Sequence, residues 1–151
     1  MGRRPSRVGL IGVMLAAVLV TAGCGKDEPS SRPTDPATDF TSEGGIELKV
    51  VSPRKGATVS NPLQVEGRAP GSWSFEADFP LEVLDADRRT LGEGHATMKG
   101  EWTTESPVDF AGTVSFDEPP TSSGYLVLRK ANPSGLPEHD DEMELRIRFA
   151  R

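Results

Sequence analysis

The sequence predicts an all-β domain over residues 46–151, and three features support this prediction. Apolar and polar residues alternate with a period of two rather than 3.6, which indicates strands with one face on a core and the other in solvent. Turn-forming residues separate the alternating runs at short intervals. Beyond residue 24, no stretch of ten residues combines helix caps with helical periodicity.

Five runs carry the alternation, and they begin at Ile46, Leu63, Trp73, Val108 and Met143. The last run is the most regular, because apolar residues occupy every second position from Met143 to Phe149. In the third run one phase continues from Trp73 to Val83 across Pro80. The pattern therefore predicts that Trp73 and Phe75 both face the core.

The turn signals between the runs are Ser52-Pro53, Ser60-Asn61-Pro62, Pro70-Gly71-Ser72, Asp85-Ala86-Asp87, Pro119-Pro120 and Asn132-Pro133-Ser134-Gly135. Short strands at this spacing, in just over a hundred residues, are typical of an immunoglobulin-like β-sandwich. We therefore expect such a sandwich of about seven strands, preceded by two segments of a different kind.

The first 23 residues predict a signal peptide. Arg3, Arg4 and Arg7 precede the run Val8–Val20, in which 11 of 13 residues are apolar. Thirteen helical residues extend about 20 Å, which is shorter than the roughly 30 Å hydrocarbon core of a bilayer. A signal peptide is therefore favoured over a permanent membrane span.

The sequence Val20-Thr21-Ala22-Gly23-Cys24 resembles the lipobox of bacterial lipoproteins, although Thr21 departs from the usual leucine. The resemblance implies that Cys24 is acylated and becomes the N-terminus, which anchors the protein at the extracytoplasmic face of the cell membrane. An ordinary secretory peptide with an incidental cysteine is the alternative. Because Cys24 is the sole cysteine, an internal disulfide is excluded.

Residues 24–45 are predicted to form the lipidated cysteine and a flexible linker. Between Gly25 and Gly45 only Ala37 and Phe40 are apolar, and three prolines lie among serine, threonine and aspartate. Such a segment cannot bury enough surface to fold, and 21 flexible residues span about 25 Å on average. Whether Phe40 docks on the domain is left open by the sequence.

From Cys24 onward, 14 basic residues face 23 acidic ones, a net charge of −9. This balance argues against a nucleic-acid partner, since binding to phosphates depends mainly on lysine and arginine. It also predicts repulsion between the folded part and anionic lipid. A basic envelope protein or a neutral cell-wall glycan is the expected partner.

Several motifs occur together in an order that resembles a known family. They are Ser52-Pro53, Gly56–Leu63, Val65–Ala69, Trp73–Ala77 with Phe79-Pro80, Trp102–Glu105 and Asn132–Glu138. The combination is similar to the immunoglobulin-like domain of bacterial spore germination proteins. The resemblance implies a non-catalytic domain at the cell surface with no cofactor. Arg88 stands where this family often has glycine, so a longer or differently shaped hairpin is expected there.

One loop is predicted to be rigid enough to present a binding surface. In Asn132-Pro133-Ser134-Gly135-Leu136, proline fixes φ and glycine permits positive φ, and loops on a stiff scaffold commonly carry recognition. We take Asn132, Ser134 and Leu136, together with Trp102, as the candidate binding residues. Trp73 is expected in the core, with stacking on a sugar as its alternative.

No catalytic or metal-binding residue is predicted. Glu76 and Glu105 would need carboxyl groups roughly 5–10 Å apart for acid–base work, and bonding to exposed backbone amides is their preferred role. His95 and His139 lack the compact ligand set of a zinc site. The acidic run Asp140–Glu142 is expected to be a solvated turn, with a loose calcium site as the alternative. Ser134 lies outside a Gly-x-Ser-x-Gly elbow.

Together these observations predict a non-catalytic, lipid-anchored binding or assembly module of the cell envelope. Its family context is spore germination. Two alternatives stay open: a small cell-wall hydrolase that uses Glu76, Glu105 or His95, and a protease inhibitor that acts through its loops.

Overall fold

A computed structural model describes residues 37–151, and this part of the chain is all-β. Its nine strands are β1 (Thr38–Thr41), β2 (Glu47–Ser52), β3 (Thr58–Val59), β4 (Leu63–Pro70), β5 (Asp78–Asp85), β6 (Thr90–Met98), β7 (Pro107–Val114), β8 (Ser123–Arg129) and β9 (Glu142–Phe149). Two short 3-10 turns cover Gly71–Trp73 and Pro137–His139. The all-β prediction is confirmed, with nine strands instead of about seven. The expected signal peptide and Cys24 lie outside the described residues.

The strands form one curled sheet in the order β1-β2-β4-β7-β6-β5-β8-β9-β3. Neighbouring strands are antiparallel except β3 and β9, which pair in parallel. The curl folds β5 onto β7, and the rings of Phe79 and Phe110 meet edge to face with centroids 5.0 Å apart. This closure gives the sheet the two inner faces of the expected immunoglobulin-like sandwich.

The core follows the alternation that the sequence displays. Every second residue of β9, from Met143 to Phe149, is buried, and β4 alternates in the same way from Leu63 to Ala69. Trp73 is fully buried, as predicted. Each such large apolar side chain contributes about 1.5–3 kcal/mol to folding by leaving water.

The third alternating run is interrupted, contrary to the sequence prediction. Strand β5 begins only at Asp78, because Phe75 and Asp78 exchange backbone hydrogen bonds of 2.9 and 3.1 Å across a two-residue turn. The central residues Glu76 and Ala77 have φ of +52° and +70°. Phe75 therefore leaves the phase of the core and is 50 % exposed.

The ordered domain also begins earlier than expected. Strand β1 pairs with β2 from Thr38 opposite Val50 to Thr41 opposite Glu47, and Phe40 is half-buried against the core. The prediction of a flexible linker up to residue 45 is thus wrong for its last part. Backbone pairing and burial of Phe40 offset the ordering cost of this otherwise polar stretch.

Residues 86–89 connect β5 to β6, and the expectation of a longer or differently shaped hairpin than is usual in the family stays a prediction. Asp85 Oδ1 accepts the backbone N–H groups of Asp87 and Arg89 at 2.8 and 2.9 Å. Arg88 adopts the left-handed φ of +62° that glycine would favour. Its guanidinium pairs with Glu144 and lies 4.9 Å from the centroid of the Tyr125 ring, contacts that offset part of the backbone strain.

An ion-pair network around one buried carboxylate, that of Glu82, lies on the outer face of the sheet. Glu82 is 8 % exposed and accepts hydrogen bonds from the Thr90 hydroxyl and from Arg129 Nε and Nη2, the latter two at 3.0 and 2.7 Å. Burial alone raises the pKa of Glu82, but the hydrogen bonds of Thr90 and Arg129 and the charge of Arg129 together hold it below its usual value. Arg129 also pairs with Glu142.

Candidate functional site

The loops of the domain fall into two sets at opposite ends of the strands. One end carries the connections 42–46, 71–77, 99–106 and 130–141, and the other carries 53–57, 60–62, 86–89 and 115–122. All four candidate binding residues lie at the first end. We refer to residues 71–77, 101–105 and 130–141 together as the loop surface.

Backbone hydrogen bonds join the three segments of the loop surface through Gly71–Trp73. The Gly71 N–H donates to the Thr104 carbonyl at 2.9 Å, and the Ala131 N–H donates to the Trp73 carbonyl at 2.9 Å. The Glu105 carboxylate accepts the Ser72 hydroxyl at 3.3 Å. The segment that contains buried Trp73 therefore ties both outer loops to the core.

Asn132 organises the loop that was predicted to be rigid. Its Nδ2 donates to the Leu136 carbonyl at 2.8 Å and to Asp140 Oδ1 at 2.7 Å. Its Oδ1 accepts the Ser134 hydroxyl at 2.6 Å and the Gly135 N–H at 3.1 Å. Gly135 has φ of +65°. Asn132 thus acts inside the loop, whereas Leu136 projects from it and is 47 % exposed.

Ser134 and His139 are close, with Ser134 Oγ 2.9 Å from His139 Nδ1. The Ser134 hydroxyl also donates to Asn132 Oδ1 at 2.6 Å and accepts the Leu136 N–H at 3.3 Å. These contacts stay within the loop and help to hold its shape.

Exposed apolar side chains concentrate on the loop surface. Among the residues the structure describes, the large hydrophobic side chains that are exposed are Phe75, Leu136 and Val51. The first two belong to the loop surface. Phe75 also lines a shallow depression with Pro80, His95 and Pro133. Exposed apolar groups that are held on rigid loops are suited to contact a partner.

The carboxylates near this surface differ in their hydrogen-bond partners. Glu105 is bonded to Ser72, and the Glu76 carboxylate has no hydrogen-bond partner in the described range. Glu101 accepts the hydroxyl and the backbone N–H of Thr103, which lower its pKa in that order. A general acid of a glycosidase instead needs a raised pKa.

Within residues 37–151, no group of three or more histidine, cysteine, aspartate or glutamate side chains is placed to hold a metal ion. The three acids of the run 140–142 turn to different partners. Asp140 binds Asn132, Asp141 accepts the Ser42 hydroxyl and the Gly44 N–H at 2.7 Å each, and Glu142 pairs with Arg129. His95 lies on β6, away from this run in sequence.

Trp102 is half-buried and packs against the core, so only part of its ring is available to a partner. Phe75 is the residue of the loop surface that the sequence did not reveal. In the sequence Phe75 falls on the same alternating positions as the core residues Phe79 and Leu81. Glu76-Ala77 also lacks the glycine or asparagine that usually marks a tight turn. The candidates Trp102, Asn132, Ser134 and Leu136 stay predictions as binding residues.

The fold and the loops define an immunoglobulin-like sandwich with two exposed apolar side chains, Phe75 and Leu136, on the loops at one end of its strands. The model of the immunoglobulin-like domain of bacterial spore germination matches residues 47–135, more than half of the chain. The protein therefore belongs to this family, as its motifs indicated, and the family is generally non-enzymatic.

No curated protein and no solved structure matches the chain. None of its described residues form a helix long and apolar enough to span a bilayer.

Proposed function

We propose that the protein is a non-catalytic, lipid-anchored module of the bacterial cell envelope that captures an envelope protein or a cell-wall glycan through the loop surface. Germination is the process that its family suggests. The observation that carries this proposal is that Phe75 and Leu136, each about half exposed, lie on loops at one end of the domain that the segment around buried Trp73 joins by backbone hydrogen bonds. Anchoring through Cys24 completes the proposal.

The course of the chain supports an outward direction for this surface. Strand β1 enters the sheet with Thr38 opposite Val50 and reaches the loop-surface end only at Thr41. The segment that precedes residue 37 therefore joins the domain at the end opposite the loop surface. An anchor on that segment leaves the loop surface free to meet a partner, at an effective concentration that the tether raises.

The test is partner capture by the full-length protein in intact cells, with crosslinking and mass spectrometry of the captured protein and glycan. We expect the double variant Phe75→Ser, Leu136→Ser to lose capture while it stays folded, because half burial of the two side chains contributes only about 1.5–3 kcal/mol in total. Val51→Ser is the matched control, since Val51 is an exposed apolar residue outside the loop surface. Equal capture by wild type and the double variant would contradict the proposal.

The rigid loop around Leu136 also supports a second candidate, the inhibition of a protease. A loop fixed by internal hydrogen bonds and exposing one apolar side chain has the form that such an inhibitor needs. Incubation with proteases of different specificity tests it. A stoichiometric loss of protease activity, abolished by Leu136→Ser, is the supporting result, and undiminished activity removes the candidate.

A further inference from the structure

Three arginines that have no acidic partner within residues 37–151 lie together at the end opposite the loop surface. Arg146 and Arg148 are exposed on the outer face of β9, and with Arg151 they line a groove of about 500 Å³. None of the three forms an ion pair with a described residue. Glu118 lines the adjoining groove together with Arg151, without pairing to it.

This cluster is unusual because acids are in excess. Residues 37–151 contain 12 basic and 20 acidic side chains, and Lys49, Arg68, Arg88, Arg89 and Arg129 are among the basic residues that form ion pairs. Arg146 and Arg148 are two apart on one strand, so their Cα atoms are only about 6.6 Å apart and their charges repel. A bound anion would relieve that repulsion.

Hydroxyl groups complete the site around Arg148. In the register of the sheet, Arg148 lies between Thr58 of β3 and Ser123 of β8, so these side chains share its face. Guanidinium forks flanked by hydroxyl donors match the several oxygen atoms of a phosphate group, which arginine binds in a bidentate manner. The groove thus has the donors for a phosphate ester.

The chain enters the domain at this same end. Thr38 pairs with Val50, close to the end of β2 at Ser52. Only residues 53–57 connect β2 to β3, a distance of at most about 18 Å, and the Gly56 N–H donates to the Arg146 carbonyl at 2.6 Å. If the protein is anchored through Cys24, the groove therefore lies on the side of the domain from which the tether leaves.

We propose that Arg146, Arg148 and Arg151, with Thr58 and Ser123, bind the phosphate groups of anionic phospholipids and dock this end of the domain on the bilayer. The inference rests on the proposed anchoring for its orientation. It reverses the expectation that anionic lipid repels the acidic domain as a whole. At physiological salt, charges interact over only about 8 Å, so the charges at the end nearest the bilayer matter most. The basic end then governs the contact, and the loop surface faces outward.

The experiment uses the full-length lipoprotein reconstituted into phosphatidylcholine vesicles with and without phosphatidylglycerol. A fluorophore on Ser60→Cys reports the groove end, and one on Ser72→Cys reports the loop surface; quenching by lipid-borne nitroxide measures their approach to the bilayer. The test variant is Arg146→Gln, Arg148→Gln, Arg151→Gln. The control variant Lys49→Gln, Arg68→Gln, Lys99→Gln removes the same charge elsewhere.

We expect phosphatidylglycerol to increase quenching at residue 60 but not at residue 72. The test variant should abolish the increase, since three arginines near an anionic surface change the docking equilibrium about 100-fold, and the control variant should keep most of it. Equal quenching on both vesicles, or an unaffected test variant, would overturn the inference.

The N-terminal peptide mass of the same sample reports acylation separately. If Cys24 is unmodified, the anchoring proposal fails while the groove is still tested, by cosedimentation of the chain with the two kinds of vesicle. Cosedimentation that requires phosphatidylglycerol and the three arginines would support the phosphate site alone. Its absence would overturn that site as well.

Discussion

Replacement of Gly71 by alanine should detach the loop at residues 101–105 from the core. A Cβ at position 71 would overlap the Trp102 carbonyl oxygen and would lie 2.5 Å from the Thr104 oxygen and 2.7 Å from the Trp102 carbonyl carbon. These neighbours are backbone atoms, so the loop must move. Such a movement breaks the 2.9 Å hydrogen bond from Gly71 to Thr104. A lost buried hydrogen bond costs about 1–3 kcal/mol and overpacking about 1–3 kcal/mol.

We therefore expect Gly71→Ala to lower the free energy of unfolding by about 2–6 kcal/mol, as measured by chemical denaturation of the mature chain. Ser72→Ala is the control, because it removes only an exposed 3.3 Å hydrogen bond and should change stability by less than about 0.5 kcal/mol. Hydrogen exchange should increase at residues 101–105 in the first variant alone. If Gly71→Ala is as stable as the control, the close packing of the two segments is refuted.

Three further outcomes are expected. Ala77→Gly should raise the free energy of unfolding by about 0.5–1 kcal/mol, because glycine accepts the left-handed φ of +70° without strain; a loss of stability on denaturation would contradict the assigned turn. Asn132→Ala should increase hydrogen exchange across residues 133–140, where its side chain makes four hydrogen bonds, and an unchanged exchange profile would show that it does not organise the loop. The free energy of unfolding should fall as the pH drops from 4.5, the ordinary pKa of a glutamate, through the lower pKa of Glu82 in the folded chain. The reason is that the unfolded chain binds more protons than the folded chain in this range. Glu82→Gln should flatten this part of the pH profile, and a variant profile as steep as that of wild type would exclude Glu82 as its source.

Alternation predicted strands with one apolar and one solvent-exposed face, such as β9, and missed β8, which buries residues on both faces. Strand β9 alternates cleanly, and the structure buries the residues that the pattern selects. Strand β8 gave no such pattern because Val127, on its outer face, is also buried. In the register, Val127 lies between Glu82 and Glu144, which are paired with Arg129 and Arg88. Burial beneath an ion-pair network is a tertiary effect that no local window contains.

The parts of the candidate site that depend on local sequence were predictable, and the parts that depend on long-range pairing were not. Asn132, Pro133 and Gly135 are local turn signals, so the rigid loop was identified from sequence alone. Phe75 was placed in the core because its phase matched that of Phe79, and only the positive φ values after it break that phase. The arginine groove depends on β3 and β8 meeting β9 over long sequence separations, which alternation does not specify.

The mass of the N-terminal peptide, isolated from the membrane fraction of cells that make the protein, tests the central claim most directly. If the domain is a lipid-anchored module, the mature chain starts at Cys24 and carries two or three acyl chains on that residue. A chain that starts at Met1, or a Cys24 that bears no lipid, would contradict the account.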